Sequence, residues 1–351
     1  MDLPRIREGG LDVQFWSIYM GRKEQDGEAI EEALRRIDAV HRLVEQNPGE
    51  MGLAMNVDEI REHVAAGRLA NLMGVEGGHI IENDLAVLRT YHRLGVRYMT
   101  LTHSFHTEWA DSSGTSQDLE ARHGGLSPFG EEVVREMNRI GMLVDLSHVS
   151  AAAMRDALDV ARAPVIFSHS GAQAINGHAR NVPDDVLERL PLNGGIVMVV
   201  ALPSYVTEDL RQYSANRAGE EARLKALFPG QPDQIEALMG KWDAENRAPV
   251  STVSDMADHI DHIRDIAGID HIGIGGDYDG MPTGPIGMED VSGYPALFVE
   301  LARRGYSQAE LEKISMRNML RVMRETEAYA ASQAGTPAIE YPAGKPRDKE
   351  G

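Results

Sequence analysis

The chain contains no cysteine among its 351 residues. Disulfide bonds are therefore excluded, and any metal site has to be built from histidine, aspartate and glutamate side chains. The absence of cysteine also fits a reducing compartment. Because 42% of the residues are hydrophobic, the chain can bury a sizeable core and does not have the composition of a disordered protein.

Long hydrophobic runs are absent too. A transmembrane helix needs about 18 or more consecutive apolar residues, and the sequence has no such run. The N-terminal stretch MDLPRIREGG is polar and does not resemble a signal peptide. We therefore expect a cytoplasmic protein without a membrane partner.

Positive charge is scarce. Lys and Arg number 35 against 55 Asp and Glu, which gives a formal net charge of -20 and a pI of about 5.0. A nucleic-acid-binding protein needs a basic surface that displaces counterions from phosphates, and an anionic membrane also attracts basic segments. The charge balance argues against both classes of partner, and solubility is sufficient to explain the acidity.

Short β-rich apolar runs alternate along the sequence with helical patterns. The runs predict seven strands, at 11–20, 69–76, 97–103, 142–148, 164–169, 195–202 and 271–277. The helical patterns cover 28–45, 57–66, 84–94, 129–140, 151–160, 183–190, 209–227, 232–245 and 252–266. Such alternation is typical of an α/β fold with a parallel sheet. A doubly wound sheet accommodates seven strands, whereas a (β/α)8 barrel needs one more.

The domain organisation follows from the same pattern. We expect residues 1–327 to form a single barrel domain, because no linker or internal repeat interrupts the alternation. Residues 328–351 are rich in Pro, Ala, Gly and charge, which predicts a loose C-terminal tail.

Polar residues close five of the seven predicted strands. They are Glu76, His103, His148, His169 and Asp277. If the strands are parallel, these side chains converge at one edge of the sheet, where barrels of this class hold their chemistry. Imidazole and carboxylate are the ligands that zinc takes when cysteine is absent, and two carboxylates beside several histidines suit a two-metal centre that activates water.

Each of these residues has a simpler explanation when it is taken alone. A strand-end histidine is more often hydrogen-bonded than metal-bound, Asp277 after two glycines is typical of a turn or a helix cap, and Glu76 can be balanced by Arg97. The convergence of the whole set favours the functional interpretation. In the loop HARNVPDD, Arg180 offers a planar fork to a carboxylate.

Eight motifs resemble those of one known family. In sequence order they are GVEGGH, LTHS, WADS, GLSPFG, DLSHVS, APVIFSHS, RNVPDD and GGDYDG. Together they resemble the membrane dipeptidase (renal dipeptidase) family of zinc peptidases, in its soluble bacterial type, over nearly the whole chain. The resemblance implies a metal-dependent-hydrolase (β/α)8 barrel with two zinc ions that hydrolyses dipeptides and tolerates a D-residue on the C-terminal side. Relatives of this type often dimerise, so a homodimer is among the expectations.

The resemblance also implies a role for each candidate residue. Glu76 would bridge the two zinc ions, and His148 and His169 would bind the second one. His103 would contact the scissile carbonyl and stabilise the oxyanion. Asp277 would take the proton of the attacking water and pass it to the leaving amine. Arg180 is expected to hold the free carboxylate of a dipeptide, which would explain a preference for dipeptides over proteins.

One feature of the family is absent. The first zinc ion relies on a His-x-Asp pair on the first barrel strand, and no such pair occurs upstream of Glu76. We therefore expect the first strand of the barrel to be absent from this chain together with its ligand pair. The same His-x-Asp pattern occurs at His259 and Asp261, but it lies on a predicted helix. Three explanations compete: a start site assigned too late, a truncated and inactive product, or ligands supplied by another residue or chain.

Two other functions stay open at this point. One is hydrolysis of a different small carboxylated amide by the same metal chemistry. The other is a non-catalytic binding protein, or pseudoenzyme, on the same barrel, for which the absent His-x-Asp pair is the best argument. The ligand types do not distinguish zinc from manganese or cobalt.

Overall fold

Eight parallel strands form a single sheet in the described part of the chain, which comprises residues 1–22, 27–114 and 120–341 of a computed structural model. The strands are β1 (Val13–Tyr19), β2 (Met51–Leu53), β3 (Leu69–Glu76), β4 (Val96–Thr100), β5 (Leu143–Asp145), β6 (Ile166–Ser170), β7 (Ile196–Val200) and β8 (Ile272–Gly275). Their spatial order is β1-β3-β4-β5-β6-β7-β8, and β2 pairs with the start of β3. All seven predicted strands are confirmed, whereas β2 was missed because three residues are too few to show a period.

Helices connect successive strands and cover the outside of the sheet. They are α1 (Leu3–Glu8), α2 (Glu28–Gln46), α3 (Val57–Ala65), α4 (Leu85–Arg93), α5 (Pro128–Ile140), α6 (Ala151–Val160), α7 (Asp184–Leu187), α8 (Leu190–Asn193), α9 (Pro203–Val206), α10 (Glu208–Leu227), α11 (Pro232–Glu245), α12 (Val253–Ile266), α13 (Tyr294–Arg303), α14 (Gln308–Glu312) and α15 (Asn318–Ser332). The predicted helices are confirmed, except that 183–190 divides into the short α7 and α8. None of the helices within the described ranges has the length and apolar character needed to cross a membrane.

Side chains alternate between the two faces of the sheet and form two apolar layers. Residues that pack against the outer helices include Met73, Met99, Val144, Phe167 and Val197. Their chain neighbours Leu72, Tyr98, Leu143, Ile166 and Ile196 form the inner layer. Because a strand has a period of two residues, Glu76, Asp145 and Ser168 share the inner face. The polar ends of β3, β5 and β6 therefore lie inside the curve of the sheet.

The sheet curls but does not close. In the residues that the structure describes, no ladder joins β1 to β8. A cavity of about 480 Å³ lies along this open seam, and it is lined by both edge strands and by Glu76, His169 and Asp277. The predicted α/β barrel architecture is confirmed in this incomplete form.

The C-terminal helices and the residues that follow them pack back onto α5. The last helix, α15, runs through the expected domain boundary at 327. The rings of Tyr341 and Phe129 lie 4.7 Å apart, and the backbone N–H of Ile339 donates to Glu136 at 3.2 Å. Residues 333–341 of the expected tail thus contact the barrel, and 342–351 lie outside the described residues.

A buried carboxylate ties these elements together and makes the stability of the fold depend on pH. Glu136 accepts hydrogen bonds from Arg139 at 2.7 Å and from Arg89 at 3.0 Å. Burial alone would raise the pKa of Glu136, but these two guanidinium groups and Ile339 lower it overall. Because the pKa is lower in the folded state, the stabilisation is present above the ordinary value of 4.5 and is lost as the pH falls.

We expect Glu136→Gln to lower the free energy of unfolding by about 1–3 kcal/mol near pH 7, with a difference from the parent that shrinks toward pH 4. Thermal unfolding followed between these pH values measures both effects. Glu131→Gln is the matched control on the same helix, because its ion pair with Arg135 is exposed and should matter little. A pH-independent difference would contradict the linkage.

Candidate metal centre

Three ligand atoms meet at the carboxyl ends of the strands. Glu76 is the last residue of β3, His148 follows β5, and His169 lies within β6. Nε2 of His148 lies 3.1 Å from Oε1 of Glu76 and 2.9 Å from Nε2 of His169, and Nε2 of His169 lies 3.4 Å from the same oxygen. Tetrahedral zinc at about 2.0–2.1 Å from each ligand places ligand atoms roughly 3.3 Å apart. These three side chains, the metal triangle, fit one ion.

Burial sets the protonation state of the metal triangle. His148 and His169 are each only 7% exposed. Their burial and the positive charge of Arg180 hold the pKa of both imidazoles well below the usual range. Burial alone would raise the pKa of Glu76, but the neighbouring imidazoles and a 2.7 Å hydrogen bond from Ser17 lower it. Neutral imidazoles beside a carboxylate are in the state that binds a metal.

His103 stands beside the metal triangle. It lies in the loop after β4, which ends at Thr100, and its Nε2 is 3.8 Å from Oε1 of Glu76. Its ring stacks on His148 at 4.2 Å and lies 4.5 Å from Tyr19. Ligand atoms of Glu76, His103 and His148 all lie within 4.8 Å of one another. The structure therefore brings His103 to the edge of the site, where it can reach a molecule bound at the triangle.

A second, fully buried carboxylate lies behind His169. Asp145, the last residue of β5, accepts hydrogen bonds from the hydroxyls of Thr100 at 2.5 Å and Ser168 at 2.6 Å. It also accepts from the backbone N–H groups of Ser147 at 3.1 Å and Ser168 at 2.8 Å. Burial raises the pKa of Asp145, and the hydrogen bonds from Ser168 and Thr100 oppose that rise. Sequence reasoning did not single out this network.

Backbone strain accompanies two of the candidate residues. His148 has φ 68° and Asp277 has φ 59°, both in the left-handed region. Asp279 adopts the same region, with φ 68°. Residues other than glycine are held there at a cost of about 1–3 kcal/mol each. The turns after β5 and β8 therefore aim these side chains into the site at the expense of local stability.

Glycine is required at both positions after Glu76, but for different structural reasons. Gly77 has φ 118°, a conformation that L-residues rarely adopt. Gly78 packs so closely that a Cβ would come within 2.4 Å of the Trp109 ring and of the Leu101 carbonyl oxygen. The GVEGGH motif therefore lets the chain turn sharply after the carboxylate and pack beneath a buried tryptophan.

Arg180 is a buried cation without an acidic partner in the described structure. It is 1% exposed and lies in the loop before α7. Its guanidinium donates to the His169 carbonyl at 3.3 Å and to Ser170 Oγ at 3.4 Å, and its Nε has no hydrogen-bond partner. A buried charge without a counter-charge is costly. No carboxylate of the described residues contacts the Arg180 guanidinium directly, although the charges of Glu76, Asp277 and Asp145 act on it from a distance.

Tyr205 joins this part of the site and was not predicted. It lies in α9, and its ring is 5.5 Å from the guanidinium carbon of Arg180 and 4.2 Å from the ring of His178. Asn181 donates a hydrogen bond to its backbone carbonyl at 2.8 Å. Its position just after the predicted strand 195–202 was the only signal in the sequence that pointed to it.

Asp277 lies just beyond the carboxyl end of the last strand of the sheet. It follows β8 and lines the same cavity as Glu76 and His169. Burial raises the pKa of Asp277 to about 7, the negative charge of Glu76 adds to the rise, and Arg180 opposes it. A carboxyl group with a pKa near neutrality can both accept and release a proton.

His259, Asp261 and Arg97, which the sequence offered as alternative ligands or as a partner for Glu76, bond to other groups. His259, on α12, uses both ring nitrogens in hydrogen bonds to backbone groups at 2.8 and 2.9 Å. Asp261 accepts from Arg304 at 2.7 Å. Arg97 donates to the backbone carbonyl of Met55 at 2.5 Å instead of pairing with Glu76. The His259–Asp261 pair therefore has a structural role, and Glu76 is not neutralised by Arg97.

Comparison with known proteins points to a single family. The family model for membrane dipeptidase (peptidase family M19) matches residues 1–336. Dipeptidase aclJ of Aspergillus oryzae is 39% identical over 349 residues, which cover 97% of this chain and 73% of that protein. Dipeptidase 3 of Rattus norvegicus is 40% identical over 344 residues, and the match covers 96% of this chain but only 61% of that relative.

A solved structure supports the same fold. The probable dipeptidase PvdM from Pseudomonas aeruginosa superposes with a TM-score of 0.82 at 26% sequence identity. The superposition covers 94% of this chain and 89% of that one. The curled parallel sheet and its helical layer are therefore shared by a protein of known structure.

Proposed function

Because the chain belongs to the membrane dipeptidase family of metallopeptidases, we propose that it hydrolyses the peptide bond of small dipeptides at the metal triangle. One observation carries the proposal. The buried Arg180 forms no ion pair with any acidic side chain of the described residues, and it bonds to the backbone of His169, which is itself a corner of the triangle. A carboxylate on Arg180 thereby comes to lie beside a hydrolytic metal centre.

The metal triangle would hold a zinc ion through Glu76, His148 and His169. A zinc ion bound there supplies Lewis acidity and a water molecule of lowered pKa. Glu76 would also contact a second ion, as the resemblance implies. The ligand atoms of Glu76, His103 and His148 form a second, overlapping group within 4.8 Å, and His103 is assigned to the substrate, so further ligands for a second ion are not assigned.

The remaining residues would act on the substrate. His103 would donate a hydrogen bond to the oxygen of the scissile carbonyl as negative charge develops on it. Asp277 would accept the proton of the attacking water and deliver it to the leaving amine. Arg180 would bind the C-terminal carboxylate and so select dipeptides, with either an L- or a D-residue at that end.

Metal content and hydrolysis, measured together, test this proposal. After loading with Zn²⁺ and desalting, we expect tightly held zinc in the parent chain and release of alanine from both L-Ala-L-Ala and L-Ala-D-Ala. Glu76→Gln should lose zinc and activity together, because it removes the charge shared by the site. Elemental analysis and an amino-acid release assay give the two readouts. Zinc-free protein with no hydrolysis would refute the proposal.

A catalytically silent binding protein is the second candidate, favoured by the open seam between β1 and β8. Such a protein would hold zinc and a dipeptide without turning the dipeptide over. Zinc retention with no alanine release, combined with calorimetric binding of the dipeptide, would identify it.

A further inference from the structure

The two histidine corners of the metal triangle differ in what holds their rings. Nδ1 of His148 is buried and has no hydrogen-bond partner in the described structure. Nδ1 of His169 lies 2.8 Å from Oγ of Ser168. The Nε2 atoms of both rings face Glu76 and each other. Each Nε2 has to be free of a proton before it can bind a metal.

The direction of the Ser168 hydroxyl follows from its neighbours. Its oxygen lies 2.6 Å from Oδ2 of Asp145, and the other oxygen of that carboxylate already accepts two backbone N–H groups. Convergence of four donors is the environment of an ionised carboxylate, which can only accept. The single hydroxyl hydrogen of Ser168 therefore points to Asp145. The Ser168 lone pair is left to accept the N–H at Nδ1 of His169.

We propose that Asp145 and Ser168 form a relay that holds His169 as the Nδ1–H tautomer and keeps its Nε2 free for a metal. The inference rests on the proposed metal site. Neither residue would contact the ion, because each acts through the ring of His169, so both are positioning residues. Because Nδ1 of His148 has no such partner among the described residues, His169 is the ligand whose tautomer the chain presets, whereas no hydrogen bond at Nδ1 sets the tautomer of His148. Outer partners of metal-bound histidines change metal affinity by about 10–100-fold.

The relay predicts that one substitution reverses the tautomer. In Asp145→Asn, an NH₂ group would stand where Oδ2 now accepts from Ser168. It would donate to the Ser168 oxygen and turn the hydroxyl hydrogen toward Nδ1 of His169. The ring would then carry its proton on Nε2, which blocks the corner of the triangle.

Zinc affinity, measured by competition with a chromophoric chelator, is the first test. We expect Ser168→Ala to weaken Zn²⁺ binding by about 10–100-fold, and Ser168→Thr, which keeps a hydroxyl, to restore it. Ser147→Ala is the matched control, because the Ser147 hydroxyl accepts the backbone N–H of His169 at 3.0 Å and does not contact the ring. Equal losses in Ser147→Ala and Ser168→Ala would overturn the relay.

The tautomer itself is the second test, and it needs no metal. Side-chain ¹⁵N NMR of the zinc-free chain should show His169 protonated on Nδ1, and Asp145→Asn should move the proton to Nε2. If that variant does not fold, Ser168→Ala should still lose the Nδ1–H preference. A parent chain with His169 protonated on Nε2 would overturn the relay. A chain that has the expected tautomer but binds no zinc would instead refute the proposed metal site and leave the relay standing.

Discussion

Asp277→Asn is expected to lower kcat for dipeptide hydrolysis by about 10²–10⁴-fold while the zinc content of the chain stays the same. The carboxyl group lines the cavity that holds Glu76 and His169, and burial raises its pKa to about 7. An amide of the same shape fills the same space but cannot accept a proton from water. The loss should therefore fall on the chemical step and leave the metal content unchanged.

The pH dependence of the reaction distinguishes this role from a structural one. A general base works in its deprotonated form, so kcat/KM should rise as the pH increases through about 7. Asp277→Asn should lack this rise. Asp279→Asn is the matched control, because Asp279 pairs with the amino group of Met1 at 2.9 Å and its side chain is 66% exposed. A kcat for Asp277→Asn within about tenfold of the parent would contradict the assignment.

Arg180→Ala should abolish the preference for substrates with a free carboxylate. Truncating one partner of a buried, hydrogen-bonded charge pair costs roughly 2–5 kcal/mol, or about 30- to 5,000-fold in kcat/KM for a dipeptide. The C-terminal amide of the same dipeptide lacks the negative charge, so it should be a poor substrate for the parent and change little in the variant. Steady-state kinetics on this acid and amide pair give the ratio directly.

Two further variants separate recognition from folding. Arg180→Lys keeps the charge but loses the planar fork, so it should recover only part of the preference. Arg211→Ala removes an arginine that pairs with Glu208 at 2.6 Å near the same loop, and it should leave the acid-to-amide ratio unchanged. If Arg180→Ala harmed the acid and the amide equally, Arg180 would be a structural residue rather than the carboxylate site.

The positions of the strands were accessible from the sequence because buried parallel strands are continuous apolar runs. The run at 69–76 coincides with β3, and its polar last residue already marked the site. β2 escaped because Met51–Leu53 is too short to show a period. The open seam between β1 and β8 was expected, because the apolar runs predict one strand fewer than a closed (β/α)8 barrel needs.

The candidate site was predicted less completely than the fold. His103 and His148 were placed at strand ends, whereas the structure puts both in the loops that follow. Tyr205 was missed because it contacts Arg180, which is distant in sequence. Asp145 was missed because it reaches His169 only through the side chain of Ser168. Residue type and position reveal a candidate ligand, but the groups that orient that ligand become visible only through distances.

The left-handed turns at His148 and Asp277 have an evolutionary consequence. Glycine and asparagine adopt this backbone more readily than histidine does. Replacing either residue with one of them would therefore stabilise the fold but remove a side chain that the proposed reaction uses. A lineage released from the need for hydrolysis would be expected to drift toward such residues first. A histidine and an aspartate in these two turns therefore cost folding stability, which a reaction that uses both side chains would justify.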